Sequence, residues 1–293
     1  MDNKKTLTGP VLILISTVFY ASHGVWLKWL LPYFSVLDSS WVRSLIVMAL
    51  LLPFLIWRRQ LVLPRRSECW WLLAILIPGS LVTPLYFYAF AHLQVGVATL
   101  LFFMSYVLGA IAYGVVFFRE RLTLTKVVAT GLGVIGLVLV ALPDMGTLST
   151  LTAVLASIFA GICGAAEITF TKKLPEKYSP YYVTFLIFSL TFVLAGLLAA
   201  LMPSPVALPS TTLPWLLIVG YALSIIAGIV CVIRGFKTTE PSFGGIIGLM
   251  EVVIGVIFGV LIFGEQLTVS TILGALLILI AALLPFFRYN RSK

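Results

Sequence analysis

Apolar residues run through this chain in ten stretches, broken by short polar connections. The stretches cover roughly 10–31, 38–57, 70–91, 96–118, 124–142, 148–171, 180–202, 214–236, 242–263 and 269–287. As helix, at about 1.5 Å per residue, each is long enough to cross about 30 Å of hydrocarbon. Pro32, Pro64, Pro143, Pro175, Pro203 and Pro209 fall in the connections, where a ring that cannot continue a helix ends it. The pattern predicts ten membrane-spanning helices, an all-α integral membrane protein, and connections too short to hold a soluble domain.

Composition agrees. With 61% hydrophobic and 10% charged residues and a mean hydropathy of +1.14, too few charges exist to cover the apolar surface in water, so the solvent is lipid. A net charge of +9 raises the question of nucleic acid, but the basic residues sit in short clusters between apolar runs. That is the pattern of inside-facing loops rather than of a binding stripe. If the loops are sorted by side, 17 of the 19 Lys and Arg residues share the side of the N-terminus. Only Lys28 and Arg43 lie toward the other. The positive-inside rule then places both termini in the cytoplasm. The first run is longer than the apolar core of a secretory signal and lacks a small-x-small cleavage site, which predicts a retained helix. Cys69 falls at the cytoplasmic edge and Cys163 and Cys231 within spans, so no structural disulfide is expected.

One phrase occurs twice. Phe118-Arg119-Glu120-Arg121-Leu122-Thr123 returns as Phe263-Gly264-Glu265-Gln266-Leu267-Thr268, 145 positions later, each copy following one apolar run and preceding another. The chain therefore reads as a duplication, with a first five-helix unit over 1–145 and a second over 146–293. Five is odd, so the second unit starts on the opposite side of the membrane. Glu120 then ends the fourth run inside, flanked by two arginines, and Glu265 ends the ninth outside, flanked by none. Inverted-topology repeats of this kind are a mark of secondary transporters.

With those features the chain resembles the drug/metabolite transporter superfamily, specifically its ten-helix EamA-type members. The resemblance rests on a fourth run entering the Phe-Arg-Glu-Arg-Leu-Thr phrase and a fifth rich in glycine, with Gly131, Gly133 and Gly136. The second half repeats this with the second phrase and Gly274, and Trp41-Val42-Arg43 resembles the family's early arginine. It implies a proton-linked or facilitative carrier of small organic solutes, with a cavity lined mainly by the first, third, fourth, sixth, eighth and ninth helices. The sequence departs from the family where a proline often breaks the fourth and ninth helices. Tyr106-Val107 and Glu251-Val252 stand there, and Tyr20-Ala21 replaces a usual Trp-Gly pair. Loss of those prolines predicts straighter helices.

Ionisable residues deep in the spans carry the candidate chemistry, because each costs about 2.5–3.5 kcal/mol at a helix centre on insertion scales. Glu251 is the deepest. It reads either as a protonated carboxyl bonded to a neighbouring helix or as a ligand for a substrate ammonium or a proton. Glu167, on the sixth run, reads either as an interfacial partner of Lys172 or as a second member of that site. His23 shares a stripe with Phe19 and Trp26, which is either buried packing or a solute contact. Tyr86 and Phe90 share one face of the third run, and Tyr106 shares one of the fourth with Phe102, Phe103 and Tyr113. Convergence of Trp26 and Tyr106 with Glu251 would suit an amine through cation–π contact. Arg43, Glu120 and Glu265 are expected to be structural or gating, the two glutamates as hinges or caps at helix ends.

Other motifs fall away. Gly131-Leu-Gly133-Val-Ile-Gly136 matches a dinucleotide fingerprint, but it lies inside an apolar run with no preceding strand, and close helix packing explains it better. Gly244/Gly248 and Gly255/Gly259 are small-xxx-small pairs that suit packing within a monomer or a homodimer. No P-loop, nucleophile elbow or metal-ligand spacing is present, so no cofactor, metal or nucleic-acid partner is expected. The sequence thus predicts a non-enzymatic carrier in a prokaryotic plasma membrane, moving an amine, amino acid or related cationic or zwitterionic solute, with H+ as a candidate coupling ion. A carrier of neutral metabolites or an exporter of drugs is the alternative, and an intramembrane lipid-modifying enzyme the alternative from another class.

Overall fold

A computed structural model describes residues 3–93, 95–141, 151–201, 209–264 and 266–289 of the chain. Every apolar run is helical: α1 (Asn3–Leu30), α2 (Val36–Trp57), α3 (Arg66–His92), α4 (Val95–Phe118), α5 (Leu124–Ala141), α6 (Leu151–Phe170), α7 (Pro180–Leu201), α8 (Thr212–Thr238), α9 (Pro241–Gly248), α10 (Met250–Phe263) and α11 (Val269–Tyr289). Among the described residues there is no strand, and a 3-10 turn, Thr171–Lys173, extends α6. Among the described residues, nine spans are long and apolar enough to cross a membrane, α9 and α10 together forming one, and Val269–Leu284 is a shorter apolar helix. Large apolar side chains such as Ile56, Leu151, Leu201 and Leu261 point outward. That arrangement suits lipid, since helices satisfy their own backbone groups in hydrocarbon.

The two halves are interleaved rather than side by side. α1 packs most extensively on α8, α5 on α11, α3 and α4 on α6, and α2 on α7, so each of these seams joins one half to the other. Small residues permit this closeness. A Cβ on Gly136 of α5 would lie 2.7 Å from the Gly274 carbonyl oxygen of α11, and one on Gly274 would lie 2.5 Å from the Gly136 carbonyl. Many side-chain hydroxyls in the spans bond within their own helices, as Ser16 does to the Ile13 carbonyl and Thr184 to that of Pro180, while a few cross a seam, as when Ser157 of α6 donates to the Ala98 carbonyl of α4 at 2.7 Å.

α4 and the ninth span, the two helices expected to be straighter, differ: the first is continuous and the second tightens at Leu249. There the Leu249 and Val252 N–H groups bond three residues back, to Ile246 and Leu249. No proline is needed. Gly244, Gly245 and Gly248 precede the break, and glycine lowers helix propensity by about 1 kcal/mol each relative to alanine. α4 carries Thr99, Leu100 and Phe103 at the positions 145 residues earlier.

The duplicated phrase ends both spans in the same way. Gly264 caps α10 at φ 66°, and Arg119, its counterpart after α4, has φ 55°. The left-handed conformation costs a residue with a Cβ about 1–2 kcal/mol, part of which Gly gives back through its freedom in the unfolded chain. Arg119→Gly is therefore expected to stabilise by about 0.5–1 kcal/mol and to raise Tm in detergent by roughly 1–3 °C. A lowered Tm would show that the Arg119 side chain contributes more than its backbone costs.

Candidate functional site

Glu251 lies in the first turn of α10. It follows directly on the tightened turn at Leu249, where the Leu249 and Val252 N–H groups bond three residues back. Tyr20 of α1, Tyr86 of α3, Tyr106 of α4 and Tyr221 of α8 lie within electrostatic range of Glu251. Four helices from both halves thus converge on one carboxylate. Tyr106 also stands 145 positions before Glu251, so the duplication places a tyrosine and a glutamate at matching points of its two halves. Glu251, Tyr20, Tyr86 and Tyr106 are part-exposed although mid-span.

Glycines set the position of Tyr106. A Cβ on Gly248 of α9 would lie 3.3 Å from its ring and one on Gly164 of α6 3.4 Å from it, so the ring sits between two helix surfaces with no side chains. Phe102 stacks on Tyr106 at 6.2 Å between ring centroids, and Tyr86 lies 4.4 Å from Phe102. The aromatic stripes of α3 and α4, read separately in the sequence, thus form one wall. The Tyr86 hydroxyl donates to Thr99 Oγ1 at 3.3 Å.

Glu167 does not pair with Lys172. Its side chain is 9% exposed and passes close to α3, where a Cβ on Gly79 would lie 3.0 Å from its Cγ and Cδ, and it acts on Tyr20 and Tyr106. Lys172 instead donates to the Thr239 carbonyl at 2.9 Å. Neither Glu167 nor Glu251 has an ion-pair or hydrogen-bond partner among the described residues.

His23 and Trp26 belong to the seam between α1 and α8. His23 meets the rings of Tyr20 and Tyr221 edge-on at 5.1 and 5.2 Å, and its Nε2 is buried without a hydrogen-bond partner. Trp26 lies parallel to Tyr221 at 6.4 Å, fills the space above Gly220 and donates from Nε1 to Ser22 Oγ, itself 2.9 Å from Ser224 Oγ. Arg43 is only 3% exposed. Its guanidinium lies 4.7 Å from the Tyr221 ring and 6.0 Å from that of Phe188, a cation–π arrangement rather than a snorkel to the surface. Tyr221 therefore joins the seam to the Glu251 site.

Glu120 is nearly buried where it follows α4. Its side chain is 5% exposed and Lys126 Nζ lies 3.1 Å from it. Ser242 of α9 donates to it, while Lys126 also reaches Glu240 at 2.7 Å. Glu265 and the side chain of Phe90 lie outside the described residues. Sequence reading did not single out Tyr20, Tyr221, Lys126, Glu240 or Ser242 as site residues. The two tyrosines left a signal, a hydroxyl in the middle of an apolar run. The other three left none, because their roles depend on which helix ends meet.

The sequence profile of the EamA-like transporter family matches this chain twice, over residues 7–142 and 151–287. A solved crystal structure superposes over 97% of this chain and 98% of its own with a TM-score of 0.75 at 17% sequence identity, a likeness of fold alone. No curated protein sequence matches the chain.

Proposed function

The chain belongs to the EamA-like transporter family, and from that premise we propose that it carries a small cationic or zwitterionic solute, such as an amine or amino acid, by alternating access. The observation that supports this reading most is the pair of unpartnered carboxylates, Glu251 and Glu167, among tyrosines from four helices. A charge buried in hydrocarbon is costly unless something compensates it. A solute ammonium, or a proton in its absence, supplies that compensation, and tyrosine rings add cation–π attraction. The tightened turn at Leu249 comes just before Glu251, at the depth where carriers commonly interrupt a helix to build a solute site. The clustering of basic residues at one end of the bundle supports placing that end, with both termini, in the cytoplasm of a prokaryotic plasma membrane.

Purified protein in liposomes tests the substrate class. A cationic or zwitterionic solute is expected to show saturable uptake and to raise Tm by mass action. Saturable transport of neutral solutes alone, with no amine or amino acid carried or bound, would overturn the charge assignment.

A further inference from the structure

At the basic end of the bundle, four residues from three helix ends, the end of α4 and the starts of α5 and α9, are tied together. The Glu120 N–H bonds to the Gly114 carbonyl at 3.0 Å, which folds the chain back so that the Glu120 carboxylate lies over Gly114. A Cβ there would sit 2.8 Å from it. Ser242, in the first turn of α9, donates to that carboxylate, and Lys126 bridges it to Glu240 at 3.1 and 2.7 Å. Above these groups is a cleft of about 460 Å³, lined by Phe118, Arg119, Arg121, Thr123 and Lys172 besides Glu120, Lys126 and Glu240. Just below them α4 and α9 are in close contact, a Cβ on Gly245 falling 2.9 Å from Ala110 Cβ and 3.7 Å from Val107 Cα. A path from the Glu251 site to the basic end between these helices is therefore shut twice, by a packed seam and by a polar clasp over it.

The duplication supplies the comparison. Shifted by 145 positions, Ser242, Glu240 and Lys126 fall on Val97, Val95 and Thr271, while Glu120 and Gly114 fall on Glu265 and Gly259. At the opposite end the glutamate and its glycine recur, but Val95, Val97 and Thr271 stand at the partner positions, so the same clasp cannot form there. We infer that Glu120, Lys126, Glu240 and Ser242 form a one-sided latch that holds α4 against α9 and makes closure of the basic end the resting state of the carrier. Ser242 and Lys126 are positioning residues here. They act through Glu120 and touch no solute. The inference rests on the alternating-access reading, but its test does not depend on knowing the substrate.

The reporter is Val107→Cys, buried to 1% in the seam, in a chain whose Cys69, Cys163 and Cys231 are replaced. A control reporter is Val47→Cys, which is 0% exposed on α2. In detergent, a small maleimide is expected to label the Val107→Cys protein slowly. Adding Ser242→Ala, Glu240→Gln or Lys126→Gln is expected to speed that labelling about tenfold or more, as the loss of a charge-assisted bond shifts a two-state equilibrium, and to leave Val47→Cys unchanged. Equal labelling of Val107→Cys with and without the latch substitutions would overturn the proposal, as would parallel acceleration of both reporters, which would mean general loosening. Failure of the carrier reading would show differently, as absent flux in liposomes with the labelling contrast intact.

Discussion

Glu251→Gln protein, reconstituted in liposomes, is expected to lose about 10- to 100-fold in saturable uptake of a cationic solute while keeping its fold. Gln preserves the shape of Glu and most of its hydrogen-bonding capacity, so the substitution isolates charge. A hydrogen bond to a charged partner contributes about 1.5–3 kcal/mol, against about 0.5–1.5 kcal/mol between neutral groups, and that difference corresponds to the stated range. Stability should not fall, because Glu251 has no protein partner to lose among the described residues and a neutral amide is cheaper than a carboxylate at that depth. Tyr106→Phe tests the facing half of the site. It removes a hydroxyl and retains the ring held between Gly164 and Gly248, so its effect should be less than about tenfold. Concentration-dependent flux gives both numbers, with a thermal melt as the folding check. Wild-type flux in the Glu251→Gln protein, with an unchanged KM, would remove Glu251 from the site. Loss of uptake together with a collapsed melt would assign it to the fold instead.

The spans were legible because the bilayer sets one length and one composition, and the chain must repeat them. The predicted run 214–236 became Thr212–Thr238 and 96–118 became Val95–Phe118, shifts of one or two residues. The break in the ninth span was not. Absence of a proline argued for a straight helix, and the three glycines before Leu249 act together rather than as a motif. Depth was legible for Glu251, since a carboxylate in the middle of an apolar run stands out whatever surrounds it. Facing was less so. The burial of Arg43 against Tyr221 depends on α2 packing on α7 and α8, which no local pattern encodes. Glu120 shows the same limit from the other side. Its place at a helix end suggested a cap or hinge, but not its partner, a serine 122 residues away that closes over it. Recurrence of the phrase pointed to a duplicated scaffold, whereas the difference between its copies resides in partners outside the phrase.

Gly161→Ala is expected to be the most damaging small substitution in the molecule, because it separates the two helices that hold the site. α6 and α4 meet there without side chains between them. A Cβ on Gly161 would run into the Phe102 carbonyl oxygen and lie 2.8 Å from Ser105 Oγ and 2.9 Å from the Tyr106 N. Two of these three atoms are backbone, which cannot rotate aside as a flexible side chain would. Overpacking typically costs about 1–3 kcal/mol, and rigid neighbours put this case at the upper end. That corresponds to a fall in Tm of roughly 5–10 °C. The same displacement moves α4 at Phe102 and Tyr106, the residues that complete the aromatic wall, so uptake should fall along with stability. Gly24→Ala and Gly255→Ala provide the comparison. A Cβ at either meets nothing within 4 Å, and alanine is the better helix former, so both should melt at or slightly above the wild-type temperature. Equal melts for Gly161→Ala and Gly24→Ala would mean that α4 and α6 are not packed as closely as described. A lowered melt with full uptake would separate the seam from the site and leave Tyr106 without a role in transport.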